Sequence, residues 1–96
     1  MRYARISVYD QLSGNYADNA QLTEREFGAR LRGRDGFVSY SVGRDQNGRI
    51  VAVNVWDTHA AAEAGLAEAN VWVRENLGDL VRLVDAHIVD FTFTVD

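Results

Sequence analysis

The sequence predicts an α+β domain, a four-stranded antiparallel sheet with two helices on one face, in the order β-α-β-β-α-β. Three observations lead there. Four stretches alternate apolar and polar residues at the period of a strand. Two stretches repeat apolar residues at three- and four-residue spacing, one between the first and second strands and one between the third and fourth. An Asn47-Gly48 pair joins the second and third strands, a strong signal for a hairpin because both residues tolerate positive φ.

The elements follow in order. Over residues 2–9, Ala4, Ile6 and Val8 point one way and Tyr3, Arg5, Ser7 and Tyr9 the other. Asp10 to Asn19 is rich in Gly, Asn, Asp and Ser and reads as a loop. From Asn19 to Arg32, Ala20, Thr23, Phe27 and Leu31 share a helix face, with Asp18 or Asn19 as cap and Gly33 as stop. Phe37 to Gly43 is the second strand, with Val38, Tyr40 and Val42 opposite Phe37, Ser39 and Ser41. Arg49 to Asp57 is the third, with Val51, Val53 and Val55 opposite Ile50, Ala52, Asn54 and Trp56. Asp57-Thr58 can cap the second helix, whose stripe is Ala62, Leu66, Ala69, Val73, Leu77 and Leu80. Asp85 to Val95 is the fourth strand, in which His87, Val89, Phe91, Phe93 and Val95 alternate with Ile88, Asp90, Thr92 and Thr94. Right-handed crossovers place both helices on one face of the sheet, the ferredoxin-like arrangement.

Ninety-six residues suffice for one domain, residues 1–96, and its 47% hydrophobic and 25% charged residues are those of a globular chain. The absence of cysteine excludes disulfides, thiolate metal sites and a cysteine nucleophile. No apolar run reaches the roughly 18 residues of a membrane span, so no membrane partner is expected. Met1-Arg2-Tyr3-Ala4-Arg5-Ile6 alternates instead of forming the continuous apolar stretch of a signal peptide, and the expected compartment is the cytoplasm. All ten basic residues are arginine, yet the net charge is −4. The cluster Arg30-Leu31-Arg32-Gly33-Arg34 reads as a solvated helix end, because an acidic whole lacks the field of a nucleic-acid binder. Glycine-rich phosphate motifs, a nucleophile elbow and metal-ligand spacings are missing, and no metal site is expected.

Every strand carries apolar residues on both faces. In the third, the Val51, Val53 and Val55 row backs onto Ile50, Ala52 and Trp56. A sheet with one wet face would alternate apolar with polar. The face away from the helices therefore needs a cover, and a second copy related by a two-fold axis is the economical one. The apolar fourth strand, at a sheet edge, adds to the expectation of a homodimer through the sheet face.

Four strings carry a family resemblance: Ala4-Arg5-Ile6-Ser7, Gly36-Phe37-Val38-Ser39-Tyr40, Val53-Asn54-Val55-Trp56-Asp57 and Trp72-Val73-Arg74-Glu75-Asn76-Leu77. With the element order, they make the chain resemble the dimeric α+β barrel superfamily, in particular small domains related to antibiotic biosynthesis monooxygenases. The resemblance implies a cavity between sheet and helices, no cofactor, and oxidation of small phenolic or quinone-like aromatics by molecular oxygen, with the deprotonated substrate supplying the electron. It implies that Asn54 and Trp56 face the helices. The Asn54 amide then binds a substrate oxygen and Trp56 forms a wall, or else both are ordinary core residues. Tyr40 is a further donor to the same ligand, or a packed ring. Haem-degrading relatives use an Asn in strand 1, a Trp late in strand 3 and a His in the second helix; only Trp56 matches, so haem is not implied.

Four further residues are candidates for binding. Trp72 flanks the apolar face of the second helix and can roof the cavity. His59, in the first turn of that helix, is a base in one reading and an exposed histidine in the other. Asp90 sits inside an apolar strand and needs a partner; Arg5 on the neighbouring strand is the expected one, making a structural pair or a polar corner of the pocket. His87 reads as a hydrogen-bonded interface residue, and Glu63, Glu68 and Glu75 as the wet face of the second helix. A non-catalytic ligand-binding or structural dimer is the alternative to the oxygenase.

Overall fold

The computed structural model describes residues 2–96. Strand β1 is Tyr3–Gln11, β2 Phe37–Arg44, β3 Ile50–Trp56 and β4 Val81–Asp90. They form one antiparallel sheet in the order β2-β3-β1-β4. The first helix, α1, runs in three continuous pieces: Tyr16–Thr23, a π-helical turn Glu24–Gly28, and Ala29–Arg32. The second, α2, is His59–Leu77. This is the predicted β-α-β-β-α-β fold. Among the described residues no helix is long and apolar enough to cross a membrane.

Several boundaries depart from the sequence reading. The first helix is capped by Asn15, whose Oδ1 accepts from the Asp18 N–H at 3.1 Å, and not by Asp18 or Asn19. The helix therefore begins inside the stretch read as loop. The hairpin loop is longer than a two-residue turn. Asp45 N–H donates to the Arg49 carbonyl and Asp45 Oδ1 accepts from the Asn47 and Arg49 N–H groups. Only Gly48, at φ +80°, needs the left-handed region, so the pair works as a three-residue loop with a bulge. Strand β4 starts at Val81 and ends at Asp90, not 85–95. Phe93 and Val95 lie beyond it, 79% and 85% exposed. The early start follows from β1, whose last residues through Gln11 pair with Val81 and Arg82.

The second strand carries the most consequential irregularity. Its register against β3 shifts between Phe37 and Ser39, so Phe37 lies opposite Trp56 while Tyr40 lies opposite Asn54. Strict alternation separates Phe37 from Tyr40. The bulge at Val38 puts both on the helix side.

The core lies between that side of the sheet and the helices. Trp56, Trp72, Phe27 and Leu31 are its large, fully buried apolar members. Gly65 on α2 makes room for Trp56: a Cβ there would sit 2.6 Å from Cζ2 of the indole. Thr58 caps α2, accepting from the Ala61 N–H at 3.1 Å. The opposite face of the sheet presents Ile6, Val8, Val51, Val53, Val55 and Val89, all half-buried. The basic cluster is not simply solvated, because Arg34 makes a bidentate ion pair with Glu68 of α2 at 2.8 and 3.0 Å.

Candidate functional site

The register of the sheet sets a polar row across its helix-facing side. Tyr40 of β2 lies beside Asn54 of β3, Asn54 beside Arg5 of β1, and Arg5 beside Ile88 of β4. Strands place side chains in such rows because residues in register on neighbouring strands share a face. One step along β1, Ser7 is also fully buried. The sequence had Arg5, Asn54 and Tyr40 as separate candidates, and the register brings them together.

Arg5 is the centre of the row. Its side chain is 1% exposed, and among the described residues no carboxylate pairs with it. Its guanidinium donates to the Tyr9 hydroxyl at 3.0 Å, and its Nε has no partner. A guanidinium stays charged in proteins, and a buried charge without a counter-charge costs several kcal/mol. The expected Asp90 partner is not there. Asp90 lies opposite Tyr3, two residues from the Arg5 register position, and is exposed. As the last residue of β4 it is solvated at the sheet edge and needs no ion pair.

Asn54 is fully buried. Its Oδ1 accepts from Trp56 Nε1 at 2.8 Å, while its Nδ2 has no partner. Trp56 is held edge-on against Phe37, with centroids 5.5 Å apart, and pressed onto Gly65. Burial pushes the Tyr40 phenol up from 10.0 to about 12, with the Arg5 charge opposing and Tyr9 adding to the rise. Tyr40 therefore keeps its proton near neutrality and acts as a donor.

Arg5, Tyr9 and Tyr40 form the polar floor of a small cavity between sheet and helices, about 40 Å³ in volume. Val42, Ile50 and Ala52 complete the floor, Tyr16, Thr23 and Phe27 of α1 cover it, and Ala69, Val73 and Leu77 of α2 close the side. The π turn helps set this cover, since Thr23 and Phe27, flanking it and within it, are both buried. Phe27 packs edge-on against Tyr40 at 5.7 Å, and Arg44 stacks over the Tyr16 ring at 4.3 Å. The described lining holds no carboxylate and no histidine.

Asn54 and Trp56 adjoin this floor without lining the cavity, and the remaining candidates lie elsewhere. Trp72 is 1% exposed and packs on Phe27 at 5.5 Å; it does not line this cavity but joins Trp56 along a second groove. Its Nε1 has no partner. His59 is half-exposed, bonded to Glu63 at 2.9 Å and set edge-on to Tyr3, outside the cavity. His87 lies on the opposite face, 3.0 Å from Asp85. No group of three His, Asp or Glu side chains stands close enough to hold a metal among the described residues. Sequence reasoning missed Tyr9, Tyr16 and Phe27 as lining residues. Alternation did put Tyr9 on the face of Arg5, a signal that could have found it.

No protein-family model matches the chain, and no curated protein matches its sequence. Solved structures do. SnoaB from Streptomyces nogalater, a cofactor-independent oxygenase, superimposes with a TM-score of 0.76 at 20% identity over 98% of this chain and 96% of that one. The chain shares its fold. Rv0793 from Mycobacterium tuberculosis is similar at a TM-score of 0.75 and 14% identity, with both chains covered in full at 100%. A candidate antibiotic biosynthesis monooxygenase from Nitrosomonas europaea matches at 0.72 and 15% identity over 99% of this chain and 94% of that one. The ferredoxin-like fold expected from the sequence is thus the one these solved structures share.

Proposed function

We propose that the chain is a cytoplasmic homodimeric oxygenase that needs no cofactor and acts on a small hydroxyaromatic or quinone-like substrate in the sheet–helix cavity. The observation that carries this reading is the cavity itself: apolar and aromatic walls over a floor that holds the buried Arg5, whose Nε has no partner, beside the half-buried Tyr40 hydroxyl. The fold shared with a cofactor-independent oxygenase supports it. Preorganised donors in a water-poor site stabilise a developing or resident oxyanion. The substrate anion gives one electron to O2, and the two radicals combine to form a carbon–oxygen bond. The resulting peroxide anion takes a proton from water; the hydroperoxide then loses water together with the hydrogen of the oxygenated carbon and leaves a carbonyl, so one oxygen atom enters the product and the other leaves as water. Asn54 holds the Trp56 indole and has a free amide N–H beside Arg5 and Tyr40. Trp72 backs Phe27, and His59 and Asp90 take no part.

The dimer in this reading forms through the valine-rich face of the sheet. Ile6, Val8, Val51, Val53, Val55 and Val89 give a self-complementary apolar patch of the kind a two-fold interface buries. Oxygen uptake with a panel of hydroxyaromatics tests the activity. Uptake above background, lowered at least tenfold in Asn54→Ala and Tyr40→Phe, is expected. Uptake unchanged in those variants and in Trp56→Phe refutes it. A second reading, a ligand-binding dimer without catalysis, is favoured by the absence of any general base in the lining. Tight ligand binding with no oxygen uptake across the panel selects it.

A further inference from the structure

We infer that the cavity is an anion site, with Arg5 as the counter-charge for a flat apolar molecule that arrives already ionised as a phenolate or carboxylate. The inference deepens the cavity reading above, but it concerns charge and does not depend on oxygen chemistry.

Two facts converge on it. The first is Arg5. A fully charged side chain, 1% exposed, meets only one neutral partner, the Tyr9 hydroxyl, and keeps an unpartnered Nε. Proteins bury an arginine almost always with a carboxylate or phosphate beside it. Here no such partner stands among the described residues, and Arg5 lines a cavity open to the outside. A ligand anion supplies what the fold omits, and it meets a planar donor suited to a carboxylate or phenolate oxygen.

The second is the company Arg5 keeps. Arg5 bonds Tyr9 of β1 and shares the cavity with Tyr40 of β2 and with Tyr16, Asn19 and Thr23 of α1; β4 and α2 contribute only apolar residues. The Tyr40 phenol, held protonated by burial, donates, and the described lining has no carboxylate or histidine to act as a base. The hydroxyl of Tyr9 accepts from Arg5, which leaves its own hydrogen free to point at the ligand. A phenol entering neutral would find nothing to take its proton. The site therefore selects molecules that ionise in solution, and it discriminates by the acidity of the ligand. Walls such as Phe27 and Val73 ask for an apolar body, so a hydrated inorganic anion fits poorly.

Equilibrium dialysis under nitrogen tests this with three ligands of nearly one shape: 4-nitrophenol, 4-nitrobenzoate and the neutral 4-nitroanisole. Both anions are expected to bind at least about tenfold tighter than the anisole, the scale of a hydrogen bond to a charged group. A tighter phenolate identifies the hydroxyaromatic source, and a tighter benzoate the carboxylic one. Binding of 4-nitrophenol should follow its own ionisation as pH rises. Native protein should also turn it yellow below its solution pKa, because the site lowers that value. Arg5→Met should remove the preference of anion over anisole, with anisole affinity changed less than about threefold. Equal binding of anisole and anions by the native protein overturns the inference, as does an anion preference that survives in folded Arg5→Met. The absorbance shift needs no variant, so a misfolded substitution does not shield the idea. Anion binding without oxygen uptake keeps this inference and removes the oxygenase; uptake with a neutral substrate does the reverse.

Discussion

Replacing Arg5 by methionine, together with Tyr9 by phenylalanine, should stabilise the ligand-free protein. Most substitutions of a fully buried side chain do the opposite. The magnitude follows from three terms. Burying the unpaired guanidinium costs several kcal/mol. Against it stands one charge-assisted hydrogen bond, to Tyr9 at 3.0 Å, worth about 1.5–3 kcal/mol. Methionine keeps most of the aliphatic stem and its packing. Arg5→Met alone strands the Tyr9 hydroxyl, which is 6% exposed with its residue, at about 1–3 kcal/mol, and should come out near neutral. Adding Tyr9→Phe removes the stranded group. The pair should then gain about 1–4 kcal/mol, as other buried charged groups do when replaced by apolar ones. At roughly 4–8 °C per kcal/mol for a domain of this size, the melting temperature rises visibly. Urea unfolding of the native protein, both single variants and the pair gives the four corners of the cycle. Loss of more than about 1 kcal/mol in the double variant would refute the reasoning, because Arg5 would then be compensated within the chain.

Gly65→Ala should cost about 1–3 kcal/mol, since its Cβ would stand 2.6 Å from the Trp56 ring; thermal melts and Trp fluorescence report both stability and indole displacement. Tyr40 makes stability fall as pH rises between about 10 and 12, because its phenol stays protonated in the folded chain while the unfolded chain ionises near 10.0. The window is worth on the order of 2–3 kcal/mol at about 1.4 kcal/mol per pH unit, and Tyr40→Phe should abolish that part of the slope in denaturation at successive pH values. Val53→Asp, in the middle of the valine-rich face, should convert a dimer to a monomer in analytical ultracentrifugation without loss of far-UV signal. Arg34→Ala should change stability by less than about 1 kcal/mol, since its pair with Glu68 is exposed to solvent and screened by salt.

The order of elements, the faces of β1 and β3, and the long second helix were legible because periodicity is a local property that burial imprints on the chain. Asn54 and Trp56 share a face for the same reason, and the helix side could be assigned from the family resemblance. What local pattern cannot carry is register. The bulge at Val38 brings Phe37 and Tyr40 to one face, and nothing in the alternation of Phe37 to Gly43 marks it. Likewise the limits of β4 were decided by its partner: β1 extends to Gln11, so pairing begins at Val81, and the alternating Phe91 to Val95 is left outside. The pairing of Asp90 with Arg5 failed for that reason too. Nearness along neighbouring strands is not the same register position, and a two-residue offset separates a solvated strand end from the core. Local periodicity carries the topology and the identity of the polar residues on the inner face. Which of them meet, and that Arg5 is buried with no counter-charge among the described residues, is settled by packing, because both depend on contacts between residues far apart in the chain.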